Sequence, residues 1–272
     1  MIHPVYDQQP LMLWLYDLPT WLFALLTIAF FVVLGLIGLV LTHRRINEGT
    51  FATLIDNGTV GWFFSGVTVL YGLLLGLLTV ATWSNFTQAT GLASKEAATI
   101  AVLYRNFAGY PPEQRVRLQQ SLRMYTEFIV HESWPLQRRG LIHDGESDRL
   151  IQLQTIIQAI EPATEGKKIL QAESIRAFTA LVELRRLRME SITGSVPGVI
   201  WYVVLLGALL TLLFSYFFLV KDIWFHALLI AMLATVIGLL IFLIAALDHP
   251  YRGAVSVEST AYQLVLDKVM KP

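Results

Sequence analysis

The chain has 272 residues, of which 55% are apolar and only 15% charged, a composition typical of a membrane protein. Twenty Lys and Arg balance twenty Asp and Glu, so the basic excess that nucleic-acid binding requires is missing and we predict no nucleic-acid partner. Because there is no cysteine, disulfides, thiolate metal sites and cysteine nucleophiles are excluded.

Four apolar stretches are long enough to cross a bilayer, a task that takes roughly 20 residues. They are Trp21–Thr42, Val60–Trp83, Val199–Val220 and Trp224–Leu247. None contains Asp, Glu, Lys or Arg, and aromatic residues typical of the headgroup region lie near their ends. The first stretch has no basic residue before it and is too long for a signal core, so we expect it to stay in the mature chain.

A long polar segment separates the second stretch from the third, and its apolar residues recur at helical spacing. Three stripes are predicted: Leu118, Leu122, Tyr125 and Ile129; Leu150, Leu153, Ile156, Ile157 and Ile160; and Ile175, Phe178 and Val182. The helix that carries the third stripe could continue toward the third span, although Pro197 and Gly198 mark a break. No strand is predicted.

The predicted fold class is an all-α membrane protein, with four transmembrane helices in two pairs and a helical extramembrane domain between them. The predicted boundaries are an N-terminal arm at 1–20, a first transmembrane pair at 21–83, the extramembrane domain at 84–198, a second pair at 199–247 and a C-terminal tail at 248–272. Charge alone does not orient these spans, because basic residues flank them on both faces.

The sequence shows no catalytic or metal-binding pattern. The six histidines are scattered, so we predict no metal site, no cofactor and no enzymatic activity. A membrane enzyme would have to use His131, Glu132 or His249. Glu96 is expected to form an ion pair with an arginine such as Arg185 or Arg188.

The spans contain no ionisable residue except His226 near one edge, which argues against a proton-coupled or ion-coupled transporter. Any passive path would therefore need a hydrophobic constriction, assembled between subunits. Val69, Leu73 and Leu77 lie four residues apart on one face of the second span, with Gly72 and Gly76 beside them to allow close approach of neighbouring helices. The same stripe is equally compatible with contact to lipid or to another helix.

Several stretches resemble the bacterial bestrophin-like domain family, which is distantly similar to the bestrophin ion channels. They read LLGLLTVATWSNFTQATGLASKEAATIAVLYR, MYTEFIVHESWP, RRLRMESITGSVPGVIWYVVLLGA and ALDHPYRGAVSVES. The similarity extends over most of the chain, from about Gly61 to Leu266. The onward link to bestrophins depends on the neck helix around LLGL and on the turn in LDHPYRG.

This resemblance implies that Val69, Leu73 and Leu77 form the apolar pore neck of a homo-oligomer, which in the family is a pentamer. Leu77 stands where bestrophins often have an aromatic residue, so ion selectivity is not carried over. The resemblance also implies a turn after the last span at Asp248, Pro250 and Gly253, although a helix stop explains the same residues. The acidic cluster of calcium-activated bestrophins is missing after this turn, so calcium gating is not supported.

Two functions follow. In the first, the protein is an integral membrane ion channel that conducts small ions passively, with its own copies and the lipid bilayer as partners, in a bacterial inner membrane with the 84–198 segment in the cytoplasm. In the second, it is a non-conducting membrane scaffold whose helical domain docks a partner protein. The number of subunits discriminates between them, because a monomer or dimer has no central axis for the neck to line.

Overall fold

The structure is a computed structural model and describes residues 2–4, 16, 18–47 and 53–271. Helices dominate it, and one short antiparallel strand pair accompanies them. In chain order the elements are β1 (Ile2–Pro4), α1 (Thr20–Asn47), α2 (Asn57–Phe107), α3 (Pro112–Phe128), a π-helix (Ile129–Ser133), α4 (Trp134–Gln137), β2 (Leu141–His143), α5 (Gly145–Gln158), α6 (Glu165–Thr193), α7 (Gly198–Ser215), α8 (Ile223–Asp248) and α9 (Thr260–Lys268). The all-α fold class is thus confirmed, whereas the strand pair is missed by the sequence pattern.

The described residues form two compact units. The membrane unit contains residues 16, 18–47, 53–84 and 195–248, and the polar unit contains residues 2–4, 85–194 and 249–271. Within the described residues, four helical segments are long and apolar enough to cross a membrane, which confirms the four predicted spans. The predicted pairing of the spans and the five-part domain division stay predictions.

In the membrane unit, α1 packs along α8, its most extensive helix partner. Small residues allow this approach: a Cβ added at Gly238 would lie 2.9 Å from the Ile28 Cα, and one at Gly35 would lie 3.0 Å from the Ile230 side chain. In a bilayer, where burial of apolar area drives helix association little, such close contacts supply much of the packing energy. Glycine at position 238 is therefore a packing requirement of the membrane unit.

We expect Gly238→Ala to destabilise the protein by about 1–3 kcal/mol, because the new methyl group overlaps backbone atoms of Ile28 that cannot rotate away. The control is Gly166→Ala near the start of α6, where an added Cβ would meet nothing within 4 Å. Thermal unfolding of both variants in one detergent measures the difference. Equal melting temperatures would contradict the close packing of α1 on α8.

Two helix ends differ from the sequence-based boundaries. The helix of the second span continues beyond Trp83 to Phe107, since no proline interrupts α2 before Pro111. The third span ends at Ser215 rather than Val220. There the Asn57 side chain takes both backbone groups of Leu219, donating to its carbonyl at 3.0 Å and accepting from its N–H at 2.8 Å. These two hydrogen bonds replace the helical hydrogen bonds that would have extended α7.

The polar unit has one hydrophobic core, to which the second half of α2 contributes. The first predicted stripe is fully buried, and the second is buried at Leu150, Leu153 and Ile157. The third stripe is partly wrong: α6 buries Phe178 and Leu181 but leaves Ile175 and Val182 exposed. A break at 194–197 separates α6 from α7, since Pro197 cannot donate a backbone hydrogen bond.

Candidate functional site: the open face of α2

The three predicted neck residues share one exposed face of α2. Val69 is 69% exposed, Leu73 59% and Leu77 63%. Their four-residue spacing places them one above another along the helix. The structure thus brings these side chains together on a face that no other part of the described chain covers.

The glycines beside them also point into open space. A Cβ added at Gly72 or Gly76 would meet nothing within 4 Å, whereas one at Gly207 would overlap the Tyr71 ring at 2.5 Å. Gly207 therefore serves packing within the protomer, and Gly72 and Gly76 do not. Their role in contacts between copies stays a prediction, and the open face leaves room for it.

The opposite face of α2 fixes the orientation of the helix in the membrane unit. Tyr71 and Leu75 are buried there, and the Tyr71 hydroxyl donates to the Val204 carbonyl of α7 at 3.0 Å. The nearby Thr79 and Thr82 hydroxyls donate to carbonyls of their own helix at 2.8–3.1 Å. The threonines are thus satisfied locally, and the apolar stripe is held facing away from α7.

Beyond Trp83 the open stripe becomes polar. The exposed residues that continue it are Ser84, Thr87, Gln88, Ser94 and Lys95. Lys95 follows Leu77 by 18 residues, which is five turns at 3.6 residues per turn, so a regular helix gives the two residues the same phase. Lys95 makes no ion pair with another described residue. Its spacing from Leu77 is visible in the sequence, but its place on this stripe depends on α2 remaining unbroken.

The turn after the last span makes its own local contacts. The Asp248 carboxylate accepts the Val196 backbone N–H at 2.6 Å and the Trp201 indole N–H at 3.4 Å, beside the start of α7. Gly253 has a φ of 87°, a left-handed conformation that favours glycine. The Pro250 carbonyl accepts the Val257 N–H at 2.8 Å. These contacts fit the helix-stop interpretation of all three turn residues, and their part in gating stays a prediction.

A buried ion cluster lies in the polar unit. Arg188 and Glu96 are both 0% exposed, and the Arg188 guanidinium donates to the Glu96 carboxylate at 2.6 Å and to Glu146 at 2.7 Å. Arg185 donates to the same Glu146 carboxylate at 2.9 Å. The prediction that Glu96 pairs with Arg185 or Arg188 is confirmed for Arg188. The second carboxylate, Glu146, follows a turn after β2 and had no pattern in the sequence to mark it.

Neutral groups complete this cluster. The Tyr125 hydroxyl donates to Glu96 at 3.0 Å, and the Gln137 side-chain carbonyl accepts from Arg188 at 3.2 Å. Burial raises the pKa of the Glu146 carboxyl, but the charges of Arg188 and Arg185 outweigh burial and hold its pKa below the usual range. Two acidic side chains thus face two guanidinium groups, so each of these buried or half-buried groups has a partner of opposite charge.

The candidate residues for a membrane enzyme differ in exposure. His131 and Glu132 are exposed on the π-helix, whereas His249 is buried. Burial, and to a lesser extent the charge of Arg252, lower the pKa of His249 to about 4. No group of three or more potential metal ligands occurs within the described part of the chain.

Solved structures share this fold. Two crystal structures of variants of a bacterial bestrophin homolog from Klebsiella pneumoniae are each 16% identical to this chain. The first has a TM-score of 0.68, and the match covers 91% of this chain and 98% of the homolog. The second has a TM-score of 0.64, and the match covers 88% of this chain and 98% of the homolog. A crystal structure described as a membrane protein is also 16% identical, with a TM-score of 0.65, and covers 92% of this chain and 99% of its own. No curated protein matches the sequence.

The family model of the bestrophin-like domain matches residues 16–262, almost the full length of the chain. Together with the four apolar helices, this match identifies an integral membrane protein. The chain belongs to the bestrophin-like domain family.

Proposed function

We propose that the protein is a homo-oligomeric ion channel in which copies of α2 surround a central pore. The carrying observation is the open face of α2, where Val69, Leu73 and Leu77 are more than half exposed, whereas Tyr71 and Leu75 on the opposite face are buried. In an oligomer these side chains form stacked apolar rings. Such a constriction excludes ions when it is dry and passes them when it widens and wets.

The composition of the open face supports a pore over contact with lipid. Gly66, Gly72 and Gly76 leave the α2 backbone accessible along the stripe, which suits close approach of identical helices. Further along, the stripe is lined by small polar residues and Lys95, which suit a water-filled vestibule. A purely lipid-facing helix has no need of either feature.

The finer details follow the family resemblance. We propose a pentamer in a bacterial inner membrane, with the polar segment 84–198 in the cytoplasm. Membership of the bestrophin-like family supports self-association in a membrane, and the open face of α2 supplies a surface for it.

The test replaces Val69, Leu73 and Leu77 with alanine and measures ion flux through reconstituted liposomes. We expect flux to rise, by about tenfold for each 1.4 kcal/mol removed from the barrier, because smaller side chains widen and wet the neck. The matched control replaces three exposed leucines of α7, at positions 206, 210 and 213, with alanine. Unchanged flux in an intact neck-variant oligomer, or equal flux in both variants, would contradict the pore.

The scaffold alternative has one observation in its favour. The polar unit exposes apolar side chains on several helices, which could dock a partner protein or a neighbouring copy. They include Val116, Met124, Ile151, Ile169, Ile175, Val182 and Leu264. Native mass spectrometry discriminates between the two functions, because a monomer or dimer cannot enclose a pore lined by α2.

A further inference from the structure

A groove of about 310 Å³ opens in the membrane unit beside the start of α8. Its walls are aromatic and aliphatic side chains from α2, from the connection between α7 and α8, and from the first turns of α8. Its apolar lining includes Phe64, Phe218, Leu229 and Leu233. The groove therefore has the chemistry of a site for a hydrocarbon chain.

One buried polar atom interrupts this apolar lining. His226 is only 2% exposed, and its Nε2 lies 3.0 Å from the Ser215 carbonyl oxygen. Because a carbonyl oxygen only accepts, Nε2 carries the hydrogen, and Nδ1 of the neutral ring is then an acceptor. Nδ1 has no hydrogen-bond partner among the described residues. A buried acceptor without a partner is costly, so a ligand that brings a donor to this end of the groove would be favoured.

Local contacts preform the groove. The two hydrogen bonds between the Asn57 side chain and the Leu219 backbone tie the α7–α8 connection to the start of α2. The Phe64 and Phe218 rings pack edge to face, with centroids 5.4 Å apart. The lining is thus held by contacts within the protomer and does not need a ligand to assemble it.

We propose that this groove binds one acyl chain of a phosphatidylethanolamine molecule from the bilayer, whose ammonium group donates to His226 Nδ1. The chain lies along Leu229 and Leu233, and the phosphate is within the reach of Lys221, which directly follows the lining residue Val220. Lys221 and Asp222 are adjacent charges of opposite sign, a match for a zwitterionic headgroup.

Lipid suits this groove better than a second copy of the chain. Phe64 precedes Leu73 by nine residues, or two and a half helical turns, so the groove and the open stripe lie on opposite faces of α2. If α2 lines a central pore, as proposed above, the groove faces away from the axis and toward the bilayer. Trp224, Phe225 and Leu228 beside it are all more than half exposed, as lipid contact requires.

The experiment titrates the delipidated oligomer with phosphatidylethanolamine and with phosphatidylcholine of the same acyl chains, and counts bound lipid by native mass spectrometry. The two lipids have equal net charge, but only the ethanolamine headgroup carries N–H donors. We expect phosphatidylethanolamine to bind roughly three- to tenfold more tightly, the effect of one hydrogen bond to a buried acceptor. His226→Phe, which keeps a ring without nitrogen atoms, should abolish this preference.

Leu229→Trp fills the groove and should weaken binding of both lipids, whereas Leu228→Trp on the neighbouring exposed position should not. Equal affinity for the two lipids in the unmodified protein, or undiminished binding in Leu229→Trp, would overturn the proposal. A loss of oligomer in Leu229→Trp with lipid binding intact would assign the groove to a second copy instead. Ion flux through liposomes tests the pore separately, because lipid binding can fail while the neck still conducts.

Discussion

Replacement of Arg188 by leucine is expected to lower the melting temperature of the protein by about 6–20 °C. This range corresponds to a loss of about 3–5 kcal/mol, the usual effect of removing one partner of a buried ion pair, at about 2–4 °C per kcal/mol for a chain of this size. Thermal unfolding in detergent, followed by intrinsic fluorescence, measures it. No other single side chain in the polar unit joins as many buried charges.

The size of this effect follows from what the substitution leaves behind. Glu96 and Glu146 are 0% and 1% exposed, and without Arg188 the Glu96 carboxylate keeps only the Tyr125 hydroxyl as a partner. A buried carboxylate with no opposite charge pays the full cost of leaving water. The guanidinium also lies 5.4 Å from the centre of the Trp134 ring, so a favourable cation–π contact is lost as well.

Two further variants test whether the lost stability comes from the loss of charge pairing in the buried cluster. Arg186→Leu is the control, because Arg186 is 75% exposed and its bridge to Glu190 should contribute only about 0–1 kcal/mol. Adding Glu96→Leu to Arg188→Leu removes the orphaned carboxylate, so part of the lost stability should return. If the double variant is as unstable as the sum of the single variants, the cluster is not coupled in this way.

The existence of the four membrane helices followed from the sequence, but two of their ends did not. Apolar length alone marks a span, and this signal is strong for α1 and α8. The residues that follow Trp83 become polar, which predicts the end of the membrane span but not the end of the helix. The helix α2 itself continues to Phe107. The end of α7 depends on Asn57, whose side chain binds the Leu219 backbone across a separation of 162 residues. No local pattern records such a contact.

The sequence predicted which residues of the candidate site share a helix face, but it did not predict what surrounds that face. The four-residue spacing of Val69, Leu73 and Leu77 places them on one helix face from sequence alone. Whether that face is open depends on what covers it, and glycine illustrates the difficulty: Gly76 is open, whereas Gly207 is filled by the Tyr71 ring. Periodicity gives the direction of a side chain, and only the tertiary contacts show what it meets.

Reversal of one charge on the open stripe is expected to change which ions the pore passes. In the proposed pentamer, Lys95 forms a ring of five positive charges in line with the Leu77 ring. At about 10 Å in water the interaction energy between one such charge and a permeating ion is about 0.4 kcal/mol, so the five charges together contribute about 2 kcal/mol before screening. Lys95→Glu should therefore shift the chloride-to-sodium permeability ratio toward sodium by at least about tenfold at low ionic strength, where screening is weak.

Reversal potentials across a planar bilayer with a salt gradient measure this ratio. Lys268→Glu at the exposed end of α9 makes the same change of charge away from the stripe and should leave the ratio nearly unchanged. Lys95→Gln should give an intermediate value, and raising the salt concentration should reduce the difference between all three, because the Debye length shortens. A conducting Lys95→Glu oligomer with an unaltered ratio would place Lys95 off the ion path. An unmodified oligomer that carries no current would instead reject the pore itself, so the two failures are distinct.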